Sequence, residues 1–116
     1  MFEADQIEEL RKLFSGMQQC TEAAHTYFLI QNYTLPSGCS PITVDLLFCP
    51  MPRDGYNSRL FFSEKVITRN PLNWNANCVR ILERNWFAFS LVFKHDNLRL
   101  AQMLASHLRG LANAAS

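Results

Sequence analysis

The run Ile42-Thr43-Val44-Asp45-Leu46-Leu47-Phe48-Cys49 constrains the fold more than any other stretch of the chain. Ile42, Val44, Leu46 and Phe48 recur at every second position, the period that puts side chains on one face of a strand. Pro50-Met51-Pro52-Arg53-Asp54-Gly55 follows, a composition that favours a turn and cannot continue a central strand. A strand needs partners, and both flanks offer them. Tyr27-Phe28-Leu29-Ile30, extended by Tyr33 and Leu35, precedes it and stops at Pro36-Ser37-Gly38. Leu60-Phe61-Phe62 and Val66-Ile67 come after it. Short connections between these pieces predict an antiparallel meander of three to four strands.

Helical periodicity flanks the meander. Ile7, Leu10, Leu13, Phe14 and Met17 predict an amphipathic helix from Glu3 to about Ala24, weakened at Gly16, with Glu3, Asp5, Glu8 and Glu9 at its dipole-favoured start. Leu100, Leu104, Leu108 and Leu111 predict a second helix from Leu98 to about Ala112, capped by Asp96 or Asn97. Residues 69–77 hold four asparagines and no period, and read as a loop. The expectation is one α+β domain over residues 1–116, ordered helix, meander, loop, helix.

Composition narrows the function classes. A chain of 116 residues with 48% hydrophobic and 18% charged residues has the apolar content of a folded domain rather than a disordered one. Eleven basic against ten acidic residues leave a net charge of +1, which excludes the electrostatic footprint of a nucleic-acid binder or of an anionic membrane surface. No apolar run approaches the ~20 residues of a membrane span, and the acidic start Met1-Phe2-Glu3-Ala4-Asp5 is unlike a signal peptide. A cytoplasmic protein with reduced thiols is therefore expected. Cys20, Cys39, Cys49 and Cys78 form no C-x-x-C pair, and His25, His95 and His107 form no zinc-type pair, so neither a structural metal nor a cofactor is expected. Cys20, Cys39 and Cys49 read as small buried hydrophobes. Phosphate-loop, dinucleotide and serine-hydrolase motifs are absent.

Cys78 is the residue that can carry chemistry. It ends the asparagine-rich loop, where a thiol is accessible, and Arg80 and Arg84 lie close enough in sequence to favour thiolate. Asn70, eight residues earlier, is a candidate donor to the oxyanion formed when a thiolate attacks an acyl carbon.

The segment Cys78-Val-Arg-Ile-Leu-Glu-Arg-Asn-Trp86 resembles the active-site stretch of ubiquitin-conjugating enzymes, Cys-Leu-Asp-Ile-Leu, three residues, then Trp. Asn70 stands at the distance of the asparagine in that family's His-Pro-Asn motif, with Thr68 and Arg69 in place of the histidine and proline. Pro52-Arg-Asp-Gly-Tyr56 is similar to the family's proline–tyrosine turn. The resemblance implies the ubiquitin-conjugating (UBC-like) fold, with Cys78 as nucleophile and Asn70 as oxyanion donor or loop support. It implies no cofactor. The partners it implies are a ubiquitin-like modifier, a ThiF-like activating enzyme and a target protein, with Arg11 and Lys12 facing the activating enzyme and Asp96 the nearest acidic residue to the site. Compact bacterial members of this kind are tied to antiphage defence. The alternative is an inactive adaptor of the same fold that binds a modifier or partner protein.

Overall fold

The computed structural model describes residues 2–116. Helix α1 (Ala4–Leu13) is followed by strands β1 (Gln18–Glu22), β2 (His25–Thr34), β3 (Thr43–Cys49), β4 (Arg59–Phe62), β5 (Ala76–Ile81) and β6 (Arg84–Ala88), then helix α2 (Leu100–Ala115). All strands belong to one antiparallel six-stranded sheet in the order β1-β2-β3-β4-β6-β5. The chain is α+β, as its periodicities require, but the arrangement is not the UBC-like fold implied by the resemblance. That fold has a four-stranded sheet and more helices, whereas here six strands carry two.

The extra strands arise where alanine and leucine occupy turns. α1 stops at Phe14, Gly16 takes φ +81°, and residues 18–22 leave the predicted helix to become β1. Ala23 and Ala24, at φ 49° and 66°, form the two-residue connection to β2. Leu82 and Glu83, at φ 53° and 62°, do the same between β5 and β6. Left-handed backbone at both central residues suits the twist of a hairpin and is ordinarily made by Asn-Gly. Val66-Ile67 forms no strand; Ile67 makes only an isolated bridge with Ser40.

The sheet is apolar on both faces. Phe28 and Ile30 of β2, Val44, Leu46 and Phe48 of β3, and Leu60 and Phe62 of β4 pack beneath the helices with Leu10, Leu100, Leu104 and Leu111. The alternate residues Tyr27, Leu47, Cys49 and Phe61 form a second core with Ala76, Ile81, Trp86 and Ala88. No helix covers this second face; the β5–β6 hairpin does, by curling over it. Two contacts fasten the curl to β1 and β3, and a third braces the hairpin itself. The Leu82 N–H donates to Glu22 Oε1 at 3.0 Å, Arg84 Nη2 meets Asp45 Oδ2 at 2.9 Å, and the buried Trp86 Nε1 donates to the Ile81 carbonyl at 3.0 Å. Asp45 Oδ1 also accepts from the Asn32 N–H (2.8 Å) at the β2 bulge, so one carboxylate ties together β2, β3 and β6.

On the other face α1 and α2 are joined by charge. Arg99 contacts both Asp5 and Glu9 at 3.1 Å, and Gln6 Oε1 accepts the N–H of Leu100 at 3.0 Å. The Arg99 guanidinium holds the Asp5 carboxyl below its ordinary value. Arg99, not Asp96 or Asn97, is the N-cap position, and its N–H is taken by Gln102 Oε1 at 2.7 Å. At the far end of α2, Gly38 (φ +97°) lies so close to the helix that a Cβ there would sit 2.6 Å from the Ala115 carbonyl oxygen. No helix among the described residues is long and apolar enough to cross a membrane.

The left-handed turns make a stability prediction. Ala24→Gly and Glu83→Gly, both at exposed positions, should each raise unfolding stability by ~0.5–1 kcal/mol in urea titrations, because glycine removes the steric cost of positive φ. Gly38→Ala should lower it; an unchanged midpoint for all three would contradict these backbone assignments.

Candidate functional site

Cys78 lies in β5, and a register break puts it there. Ala76 pairs with Ala88 and Val79 with Trp86, so Asn77 and Cys78 together oppose a single residue of β6. The inward residues of β5 are Ala76, Val79 and Ile81, and the odd interval from 76 to 79 requires one residue more than a regular strand has. The bulge supplies it, with Cys78 at φ 54° and exposed to solvent. All four cysteines are free; Cys39 and Cys49 are buried and Cys20 half-buried. Burial pushes the Cys39 thiol up and the Cys49 thiol to about 11, so neither offers thiolate near neutrality.

Asn70 is not a partner of Cys78. Its N–H donates to the Ala114 carbonyl at 2.8 Å, and its side-chain amide lies 3.4 Å from the Ser116 carbonyl. These are end carbonyls of α2 that lack partners within the helix, so Asn70 holds the helix terminus. No hydrogen bond joins it to Cys78. Arg84 is likewise occupied, paired with Asp45 and lying 4.5 Å above the Trp86 ring, whereas Arg80 is exposed on β5. Asp96 is exposed in the loop before α2.

Beside β5 opens a polar cleft of about 430 Å³ that the sequence reading missed, lined by Arg53, Asp54, Tyr56, Arg59, Asn75 and Asn77 together with Ala76 and Val79. Its geometry begins with the turn Arg53-Asp54-Gly55-Tyr56, where Asp54 and Gly55 take φ 55° and 86° and Arg53 and Tyr56 exchange backbone hydrogen bonds at 2.9 and 3.0 Å. The turn stands Tyr56 beneath Arg59, whose guanidinium carbon is 4.2 Å from the ring centroid. Tyr56 donates to Ser90 Oγ (2.9 Å) and accepts from Asn75 Nδ2 (2.7 Å), bonds that draw its hydroxyl below the ordinary tyrosine value. The sequence did carry a signal: an arginine heading a strand whose other residues are Leu, Phe and Phe.

A third cluster stands behind β4. Ser58 Oγ lies 2.6 Å from His95 Nε2 and 2.8 Å from His107 Nε2, and His95 Nδ1 lies 2.9 Å from the Phe93 carbonyl. A carbonyl only accepts, so His95 Nδ1 carries the proton and its Nε2 accepts from Ser58, which in turn accepts from His107. Ser58 is only 1% exposed, which keeps its hydroxyl from any substrate. The chain of bonds instead fixes the loop before α2 to the sheet. Desolvation, then the neighbouring His95 and Arg59, lower His107 to about 3. Among the described residues no three His, Cys, Asp or Glu side chains are placed to hold a metal ion. Comparison with protein-family models, curated proteins and solved structures finds no match for this chain.

Two measurements follow. His107 is neutral in the fold down to about pH 3 but protonates near 6.5 when unfolded, so the unfolded state binds the extra proton between those values. Stability should therefore fall as pH drops through that window, by up to ~1.4 kcal/mol per unit, and His107→Gln should flatten the slope relative to the parent. Equal slopes would remove His107 from the account. In native protein, iodoacetamide should label Cys78 first and Cys20 more slowly, reaching Cys39 and Cys49 only on unfolding; mass mapping of the adducts checks the order.

Proposed function

We propose that this chain is a cysteine-dependent acyl carrier that receives the C-terminal acyl group of a ubiquitin-like modifier as a thioester on Cys78 and passes it to an amine of a target protein. The observation that carries the reading is the setting of Cys78: of four thiols it alone is exposed, displaced from the sheet by a bulge at φ 54°. Backbone in that conformation is held only where the surrounding structure enforces it, and such sites concentrate where a side chain must be presented.

Two exchanges make up the reaction. The Cys78 thiolate attacks the thioester carbonyl linking the modifier to its activating enzyme; the C–S bond to Cys78 forms, and collapse of the tetrahedral adduct expels the activating enzyme's thiolate. A target amine then attacks the new thioester, forming an amide and releasing Cys78 thiolate, while the amine proton passes to solvent or to the departing sulfur. With Asn70 engaged at the end of α2, the oxyanion needs another donor. β5 is an edge strand, so backbone N–H groups facing away from β6 have no ladder partner and are available for that role.

The engagement of Asn70 favours a second reading, an adaptor that binds a modifier or partner without forming a covalent bond. One experiment separates the two. Incubated with activating enzyme, modifier and ATP, the protein should give a reductant-sensitive adduct on a non-reducing gel. Cys78→Ala should abolish the adduct, and Cys78→Ser should convert it to a reductant-stable ester. Asn70→Ala should leave the rate of thioester discharge within ~2-fold, whereas loss of a true oxyanion donor costs ~100-fold or more. Binding of the modifier with no adduct would favour the adaptor.

A further inference from the structure

Arg59 is a buried cation with no carboxylate among the described residues at ion-pair distance; the charge of Asp54 reaches it only from further off. The residue is 4% exposed, and among the described residues its side-chain hydrogen bonds run only from Nη2 to two neutral acceptors, Asn75 Oδ1 (2.7 Å) and the Phe89 carbonyl (3.3 Å). Its Nε–H and Nη1–H groups have no acceptor among the described residues. A second guanidinium stands across the Phe61 ring: Arg53 lies 5.6 Å and Arg59 5.8 Å from the ring centroid. Arg53 gives Nη1 to Tyr27 Oη at 2.9 Å, while its Nε is buried without a hydrogen bond, 3.4 Å from Asp54 Oδ2. Asp54 is the single acidic residue of the cleft and is itself half-exposed.

Burying a guanidinium without an opposite charge is costly, and proteins ordinarily offset that cost with a carboxylate on the same chain. Here the aromatic ring of Tyr56 and two neutral oxygens hold the cation in place, and it lines the cleft with N–H groups left unpartnered. We propose that this cleft is a binding site for a carboxylate-bearing ligand, with an unpartnered N–H of Arg59 donating to it and Arg53 supplying the second positive charge. The charge balance selects the ligand class. Two guanidiniums less one carboxylate leave one net positive charge, which matches a carboxylate and leaves a phosphate dianion under-compensated. A cleft of about 430 Å³ exceeds what a carboxylate alone fills, so the rest of the ligand lies along Ala76, Asn77 and Val79 of β5. The site does not depend on thioester chemistry at Cys78.

The carboxylate has two sources, a small organic acid or the C-terminus of a peptide, and one titration distinguishes them. The Arg53 and Arg59 side-chain Nε–H signals are followed by NMR while acetate, N-acetyl-glycyl-glycine, its C-terminal amide and inorganic phosphate are added separately to wild-type and Cys78→Ala protein. Both carboxylates should shift the Arg59 signal saturably, and the amide should not. Tighter binding of the dipeptide than of acetate assigns a peptide C-terminus; equal binding assigns a small acid. Arg59→Lys, which keeps the charge but loses the planar set of N–H donors stacked on Tyr56, should weaken binding ~3- to 10-fold, and the partly exposed Arg53→Gln should weaken it by a similar factor. Arg53→Gln and the acid–amide comparison serve if Arg59→Lys fails to fold. Absence of a saturable shift with either carboxylate, an equal response to the amide, or tighter binding of phosphate would each overturn the proposal. Wild-type affinity in Cys78→Ala separates this site from the acyl-carrier reading.

Discussion

A sheet that is apolar on both faces has to be covered twice, and the rest of this structure follows from that need. Every residue of β4 is buried, and the β3 run from Leu46 to Cys49 is buried on both sides. Each large side chain shielded from water adds ~1.5–3 kcal/mol, so neither face can be left open. Two helices suffice for one face. The other is closed by the sheet's own edge, and this is why the β5–β6 hairpin curls back until its turn meets Glu22 of β1.

Closing a face with a strand rather than a helix has a geometric result. The covering strand presents one side to the core and the other to solvent, and its alternation must fit the surface below. Ala76, Val79 and Ile81 fit only with an added residue, and that residue brings Cys78 to the outside. The same curl sets β5 beside the Arg53–Tyr56 turn, so the cleft and the exposed thiol both result from how the second core is sealed.

The parts of the fold legible in the sequence are those written as a period. The alternation through Val44, Leu46 and Phe48, the strand at Tyr27 and the leucines of α2 have the structures their patterns predict, and the asparagine-rich loop does as far as Asn75, where β5 takes over its last two residues. What was not legible depends on backbone conformations that the residues only tolerate. Ala23-Ala24 reads as helix and Leu82-Glu83 carries no turn signal, because neither pair has the left-handed preference of Asn-Gly; tertiary contacts impose the turns. The resemblance around Cys78 suggested Asn70 by spacing alone, and spacing could not reveal that α2 would end beside it. Arg59 was hidden for the opposite reason: a lone arginine at a strand end is ordinary until the rings beneath it and the absence of a matching acid are seen together.

The pairing of α1 with α2 has a consequence for how the chain is made. Asp5 and Gln6 contact Arg99 and Leu100, 94 positions further on. During synthesis α1 leaves the ribosome long before its partner helix exists. Leu10, fully buried in the finished protein, therefore lacks the part of its cover that Leu100 and Leu104 belong to until α2 has been translated. On the ribosome, α1 is thus a short amphipathic segment with part of its apolar face uncovered, available to a chaperone until α2 emerges.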